Sequence, residues 1–164
     1  MTTRRSLFLA GLAAVGVATL AKLRESTAIA AEGGPFEIVR SEEEWRRLLT
    51  PAQFRILRQH GTEPAGSSPL DKQYGEGTYH CAACDLPLFP SKTKFDSRTG
   101  WPSFWAPLEG AIGTSEDRTF LMMVRTEVHC RRCGGHLGHV FDDGPAPTGL
   151  RYCMNGVALK FVPA

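Results

Sequence analysis

The spacing of apolar residues along this chain changes near residue 61, from a helical pattern to a β-like one. Residues 41–61 carry apolar side chains at helical spacing, and beyond Gly77 the apolar stretches are short. Because no stretch after residue 61 keeps a 3.6-residue period over ten positions, the pattern predicts a mainly β domain of antiparallel sheets with a short N-terminal helical pair. The predicted strands are 78–81, 87–89, 120–129, 139–141, 150–154 and 157–162.

Two capping signals locate the predicted helices. Ser41 and Glu44 form a capping box at the start of the first helix, and Thr50 caps the second helix, which has Pro51 at its first position. We expect the second helix to end near Gly61 and the pair to pack against the outside of the main domain. The apolar residues are Trp45, Leu48 and Leu49 on one face of the first helix, and Phe54, Ile56 and Leu57 in the second.

The first 30 residues have the layout of an export signal. Arg4 and Arg5 form a basic start, residues 7–21 carry no charge, and Ala28 and Ala30 form an A-x-A cleavage site. The uncharged run is shorter than the roughly 20 apolar residues of a membrane span. The arginine pair resembles the twin-arginine signal, which directs folded proteins across the bacterial inner membrane, and therefore predicts a periplasmic protein. The alternatives are an uncleaved N-terminal anchor and a signal for unfolded export.

Removal of residues 1–30 would leave residues 31–40 as a short linker and residues 41–164 as a single domain. It would take away four basic residues and one acidic residue, so the formal charge would change from +2 to −1. This balance excludes a nucleic-acid partner held by electrostatic attraction. The composition, with 42% hydrophobic and 22% charged residues, excludes a mainly disordered chain. We therefore expect a folded monomer that makes no stable membrane association once processed.

Four of the five cysteines have the spacing of a metal site. They form two C-x-x-C pairs, and two such pairs supply a tetrahedral set of four thiolates, which is typical of structural zinc. Disulfides are one alternative, because exported proteins are oxidised. Ligation by His136 or His139, which follow the second pair, is another. The paired residues are Cys81 with Cys84 and Cys130 with Cys133.

The fifth cysteine, Cys153, lies among polar residues. In a strand, Arg151, Cys153 and Asn155 share one face, and a guanidinium beside a thiol favours the nucleophilic thiolate. His136 and His139 would supply imidazoles that hold or deliver a proton, near the carboxylates at 142–143. The alternative interpretation is an inert buried cysteine. The aromatic segment at 100–105 is either core or the lining of a small apolar pocket.

Together these motifs resemble those of the B-type methionine sulfoxide reductases, which are specific for the R epimer of the sulfoxide. The resemblance covers about residues 41–162, nearly the whole chain beyond the predicted signal. The matching runs are KFDS at 94–97, GWPSF at 100–104, RTEV at 125–128, HLGHVF at 136–141 and GLRYC at 149–153 with Asn155 after them, besides both C-x-x-C pairs.

The resemblance implies a fold and a set of site residues. The family fold consists of small, strongly bent antiparallel sheets in a tent-like or barrel-like arrangement stapled by one structural zinc, which the four paired cysteines would hold. The matching nucleophile is Cys153, and the substrate-binding side would be Trp101, which receives the methyl group, and Phe141. The polar side of the site would be His136, His139, Asp143, Arg151 and Asn155.

The expected chemistry is thiol-dependent reduction of protein-bound methionine sulfoxide. The Cys153 thiolate would attack the sulfoxide sulfur, while His139, alone or with His136, protonates the oxygen as a general acid. Methionine would leave, and Cys153 would become a sulfenic acid. The expected substrates are oxidised proteins with exposed methionine-R-sulfoxide.

One position departs from the family pattern. Many members have a second cysteine that attacks the sulfenic acid, and here Thr99 occupies its place. We therefore expect a one-cysteine enzyme, resolved by a thioredoxin-like protein or a low-molecular-weight thiol. Two other hypotheses remain: a non-catalytic zinc-binding interaction module, and a disulfide oxidoreductase that uses its C-x-x-C pairs.

Overall fold

The structure, a computed structural model, describes residues 36–120 and 123–164, all within one compact unit. The predicted export signal, residues 1–30, lies outside the described residues and stays a prediction. No helix in the described part of the chain is long and apolar enough to cross a membrane. The elements are α1 (Glu42–Leu48), α2 (Pro51–Gln59), β1 (Gly77–Cys81), β2 (Pro87–Pro90), β3 (Lys94–Phe95), β4 (Ser103–Phe104), β5 (Ile112–Phe120), β6 (Met123–Cys130), β7 (His136–Phe141), β8 (Arg151–Met154) and β9 (Leu159–Pro163).

Both helices begin as predicted. Ser41 and Thr50 each accept a hydrogen bond from the backbone of the third helical residue, whose side chain bonds back to the cap. The prediction for Leu48 was wrong, because its side chain is 59% exposed while Trp45 and Leu49 are buried. Leu48 and Leu49 lie about 100° apart around the helix axis. A helix of seven residues therefore buries only one of them.

The mainly β prediction is confirmed. Strands β2, β1 and β9 form one sheet, and strands β3, β4, β8, β7, β6 and β5 form a second in that order, with every pairing antiparallel. Within the described residues neither sheet closes into a barrel. The prediction missed β5, because an edge strand that reads IGTSEDRTF has no apolar alternation. It also missed the two-residue strands β3 and β4.

Aromatic packing joins the two sheets. The rings of Phe89 on β2 and Phe104 on β4 stack with their centroids 4.5 Å apart, and Tyr79 on β1 meets Phe104 edge-on at 4.9 Å. All three side chains are fully buried. Because β4 pairs directly with β8, this core fixes the strand that carries Cys153.

The strand register then places three site residues side by side. Cys153 lies opposite Ser103 on β4 and opposite His139 on β7. Directly paired residues of antiparallel strands share a face of the sheet, with side chains close enough to touch. The nucleophile predicted from the sequence therefore lies between a hydroxyl and an imidazole.

Candidate active site and metal centre

The two C-x-x-C pairs form a single cluster of thiols. The Sγ atoms of Cys81 and Cys133 are 3.8 Å apart, and those of Cys84 and Cys130 are 3.5 Å apart. Four sulfurs arranged tetrahedrally at about 2.3 Å from zinc would be separated by about 3.8 Å, whereas a disulfide joins its sulfurs at about 2 Å. All five cysteines are free, so the disulfide alternative is wrong. The cluster is the predicted zinc site.

Matching turns build the two halves of this zinc site. After the first cysteine of each pair, the fourth residue along the chain, Asp85 or Gly134, has a left-handed backbone and donates its N–H to the carbonyl of that cysteine. The cysteine N–H in turn bonds to the carbonyl of Leu86 or Gly135. Each turn directs two thiols to one point. His136 and His139 are hydrogen-bonded to carboxylates elsewhere, and neither belongs to the cluster of four thiols.

Cys153 lines a small cavity, which we call the catalytic pocket. Its volume is about 140 Å³, well below the roughly 300–1,000 Å³ of sites for drug-sized ligands. It therefore suits the end of one side chain. Of the residues predicted from the sequence, Trp101, His139, Phe141 and Asn155 also line it, whereas His136, Asp143 and Arg151 do not. The complete lining is Thr62, Trp101, Arg125, Gly138, His139, Phe141, Cys153 and Asn155.

Opposing effects set the acidity of Cys153. Burial raises the pKa of this thiol, while the Arg151 guanidinium and the hydroxyls of Thr99 and Ser103 lower it. The hydroxyls are themselves linked, because Ser97 Oγ lies 2.8 Å from Thr99 Oγ1 and 2.7 Å from Ser103 Oγ. Burial is the larger effect, so the pKa of Cys153 lies above its ordinary value, and the cation and the two hydroxyls offset only part of that rise.

Arg151 does not line the catalytic pocket, and two neighbours hold it: Asp143 and Phe141, of which Phe141 lines the pocket. Its Nε and an Nη donate to the two carboxylate oxygens of Asp143, each at 2.8 Å. The guanidinium also lies over the Phe141 ring, 4.5 Å from its centroid. Asp143 is 59% exposed, so it acts on the site through Arg151. The carboxylate and the ring fix the orientation of the guanidinium beside the thiol.

His139 is the imidazole of the pocket wall, and Asp117 orients it. The Nε2 atom of His139 lies 2.7 Å from Asp117 Oδ2, and Arg125 donates to the same oxygen at 2.7 Å. Because a carboxylate only accepts, we assign the ring proton to Nε2. Burial lowers the pKa of His139, while the Asp117 hydrogen bond raises it. Sequence analysis missed Asp117. It lies 22 residues before His139, on an edge strand, and nothing in the sequence marks it as the partner of that histidine.

His136 lies behind the wall rather than in it. It is 2% exposed, and its Nδ1 lies 2.7 Å from Glu127 Oε1. The same oxygen lies 2.9 Å from Nδ1 of His60, and Ser115 donates to Oε2 at 2.6 Å. These interactions lower the pKa of Glu127 to about 2, and the hydrogen bond with His136 is the largest cause. The His136 and His139 rings are 5.3 Å apart, so His136 contacts the pocket through His139.

A buried carboxylate supports the opposite wall. Glu63 is 3% exposed, and its side chain accepts from the N–H groups of Gly156 at 2.5 Å and Val157 at 3.0 Å. Its backbone N–H donates to Asn155 Oδ1, and its carbonyl accepts from Trp101 Nε1. One residue therefore fixes both Trp101 and Asn155. Sequence analysis missed Glu63 and gave Glu127 no role, although the RTEV run contains the latter.

The chain is similar to proteins of one known family. The SelR domain family matches residues 49–163. The peptide methionine sulfoxide reductase MsrB of Leptospira interrogans is 52% identical over 126 residues, covering 77% of this chain and 96% of that protein. The MsrB of Agrobacterium fabrum is 53% identical over 128 residues, covering 77% and 94%. Peptide methionine sulfoxide reductase B1, chloroplastic, of Arabidopsis thaliana is 52% identical over 120 residues, covering 73% and 59%.

Proposed function

This chain belongs to the SelR-domain family of MsrB peptide methionine sulfoxide reductases, and we propose that it reduces methionine-R-sulfoxide in oxidised proteins through Cys153. One observation carries the proposal. Cys153 lines a pocket of about 140 Å³ together with Trp101 and His139, which provide an apolar surface and an ionisable group beside a nucleophile. The zinc site takes no part in this chemistry, because four thiol ligands complete a tetrahedral site and leave no position open to substrate.

The chemical step transfers one oxygen atom to the enzyme. The Cys153 thiolate attacks the sulfoxide sulfur, the S–O bond of the substrate breaks, and Cys153 ends as a sulfenic acid. One proton is consumed, the cysteine sulfur loses two electrons and the substrate sulfur gains them. Protonation of the oxygen makes it a better leaving group, which is general acid catalysis worth about 10²–10⁴ in rate. His139 is the proposed acid, because it lines the pocket while His136 lies behind it.

Recognition of the R epimer follows from two unlike surfaces. The Trp101 indole would take the methyl group, and its ring is held in place by the hydrogen bond from Nε1 to Glu63. The sulfoxide oxygen would face His139. The S epimer would exchange the two groups, placing the methyl against the imidazole and the oxygen against the indole.

Resolution of the sulfenic acid is proposed to need an external thiol. Thr99 stands where many family members have the resolving cysteine, and the four remaining cysteines form the zinc site. Two thiols would supply the electrons: the first forms a mixed disulfide with Cys153 and releases water, and the second regenerates the Cys153 thiol. A thioredoxin-like protein or a low-molecular-weight thiol fits this role. The twin-arginine pattern of residues 1–30 supports export to the periplasm. We propose that the processed chain is a monomer free of the membrane.

Turnover of separated epimers tests the reaction. The full chain is incubated with the R or the S sulfoxide of N-acetyl-methionine and dithiothreitol, beside a Cys153→Ser variant. We expect the R epimer alone to be reduced, and only by the unmodified chain. No turnover by zinc-loaded protein would overturn the proposal and favour the zinc-binding interaction module.

A single turnover without reductant tests the one-cysteine mechanism. After trapping with dimedone, mass spectrometry should find the adduct on Cys153 and all four zinc ligands unmodified. An intramolecular disulfide that involves Cys153 would overturn this part of the proposal.

A further inference from the structure

The catalytic pocket opens beside a larger cavity that the reaction at Cys153 does not use. This second cavity has a volume of about 400 Å³ and shares Arg125 and Phe141 with the catalytic pocket. We call it the flanking cleft. The residues that line it are Val124, Arg125, Thr126, Val140, Phe141, Asp142 and Leu150.

One face of the larger sheet packs against the core, and the flanking cleft includes the part of that face that extends past the core. Side chains alternate between faces along a strand, so Val128, Thr126 and Val124 of β6 share one face. Val128 is fully buried, whereas Val124, four residues away, is 57% exposed. Val140 lies directly opposite Thr126 on β7 and adds to the same apolar strip. The strip therefore leads from the protein interior to an uncovered valine.

The opposite face of the same strands carries the chemistry. His139 and Phe141 alternate with Val140 on β7, and Cys153 is paired with His139. Arg125 likewise alternates with Val124 and Thr126 on β6. Arg125 and Phe141, which line both cavities, thus belong to the catalytic face, and the flanking cleft is lined by residues of both faces.

We infer that the flanking cleft binds the polypeptide next to the oxidised methionine and favours an apolar side chain there. This inference rests on the proposed function. The catalytic pocket, at about 140 Å³, takes only the sulfoxide end of the methionine. In a protein substrate, the polypeptide on both sides of the oxidised methionine must lie outside that pocket. The adjoining space of about 400 Å³ is large enough for a leucine-sized side chain with its backbone. Because the two cavities adjoin at Arg125 and Phe141, the geometry assigns the substrate polypeptide as the occupant of the flanking cleft.

The expected gain in kcat/KM from an apolar flanking residue is large enough to measure. Burying one large apolar side chain against Val124, Val140 and Leu150 removes enough apolar surface from water to improve kcat/KM about ten-fold. A serine in the same place would bury little apolar surface and gain little. N-acetyl-methionine-R-sulfoxide, which has no flanking residue, provides the reference rate for each enzyme variant.

Peptide pairs test the inference with the full zinc-loaded chain. Two blocked peptides carry one methionine-R-sulfoxide flanked on both sides by leucine or by serine. We expect kcat/KM for the leucine peptide to exceed that for the serine peptide about ten-fold. The variant Val124→Asp should lower the ratio of the two peptides towards one. Val39→Asp is the matched control, because Val39 is also 57% exposed but lies outside the flanking cleft, and it should leave the ratio unchanged.

Two outcomes would overturn the inference: equal kcat/KM for the two peptides, or a preference that Val124→Asp leaves intact. A chain inactive even on N-acetyl-methionine-R-sulfoxide would instead count against the proposed function. Binding of fluorescein-labelled forms of both peptides to the Cys153→Ser variant would then decide the matter. Tighter binding of the leucine peptide that Val124→Asp abolishes would support the inference, and equal binding would overturn it.

Discussion

The Nε2 atom of His139 lies 2.7 Å from Oδ2 of Asp117, so a carboxylate on the edge strand orients the imidazole of the pocket wall. This bond raises the pKa of His139 against the larger downward effect of burial. If His139 is the general acid, its active form is the imidazolium, and the rate falls as the pH rises through its pKa.

Asp117→Asn should therefore move that alkaline decline in rate to lower pH and reduce kcat at pH 7 about ten-fold or more. The reason is that the amide no longer stabilises the imidazolium. The measurement is the pH profile of kcat for N-acetyl-methionine-R-sulfoxide. Glu116→Gln, an exposed neighbour on the same strand, is the matched control and should keep the original profile. An unchanged profile in Asp117→Asn would contradict the assigned role.

Arg151→Met should make Cys153 less acidic. The guanidinium lowers the pKa of this thiol, which burial raises, so its loss leaves burial less opposed and the pKa climbs further. Alkylation of Cys153 by iodoacetamide, followed by mass spectrometry of its peptide, should be about three- to ten-fold slower at pH 8. Lys160→Met removes an exposed cation far from the site and serves as control. Equal rates in all three proteins would show that Arg151 has no effect on the thiolate.

Thr99→Cys should convert the enzyme to a two-cysteine mechanism. The Thr99 side chain lies close enough to Cys153 to influence its thiol, so a thiol in its place can reach the sulfenic acid. After one turnover without reductant, the variant should contain an intramolecular disulfide, and the unmodified chain should not. Ser97→Cys, one hydrogen bond further along the hydroxyl cluster, is the control for proximity. A variant that accumulates only sulfenic acid would contradict this expectation.

Glu63→Gln should cost both stability and activity. The buried carboxylate accepts two backbone hydrogen bonds, from Gly156 and Val157, and bonds to a charged group contribute about 1.5–3 kcal/mol each. The amide can replace only part of this, so the free energy of unfolding should fall by about 2–4 kcal/mol in urea titrations. Because the same segment holds Trp101 and Asn155, KM should also rise. Glu109→Gln, at an exposed site, should change neither quantity.

Loss of one zinc ligand should destabilise the whole domain. The site joins the end of β1 to the end of β6, and zinc binding to such sites is folding energy. Cys84→Ser should lower the zinc content measured by atomic emission and reduce the Tm by about 10 °C or more. Cys153→Ser is the same substitution outside the cluster, and it should retain one zinc per chain and the original Tm. A stable, zinc-loaded Cys84→Ser protein would show that three thiols suffice.

The features that the sequence predicted well are local ones. The capping residues Ser41 and Thr50 bond to residues three positions away, so a short window of sequence contains the whole interaction. The two C-x-x-C pairs are likewise local, because each turn directs its thiols within a few residues. Cys153 could be singled out because it remained after the pairs were assigned and because Arg151 and Asn155 alternate with it along a strand.

Other features depended on residues distant in sequence. Glu63 contacts Gly156 across 93 residues, and Asp117 reaches His139 across 22. Leu48 is apolar, but in the folded chain its side chain stays exposed. Only the folded chain places His139 in the pocket wall and His136 behind it, although both belong to one six-residue run.

The sequence by itself thus determined the secondary structure near the N-terminus, the candidate zinc ligands and the candidate nucleophile, because each of these is marked by residues only a few positions apart. The fold then brings the two cysteine pairs together, since Cys84 and Cys130 are 46 positions apart in the chain. Only the tertiary structure decided which carboxylates orient the two imidazoles, which residues line the catalytic pocket and where a second cavity adjoins it. The physical reason is that side-chain partners within a sheet are set by strand order and register, and these depend on the packing of the whole domain.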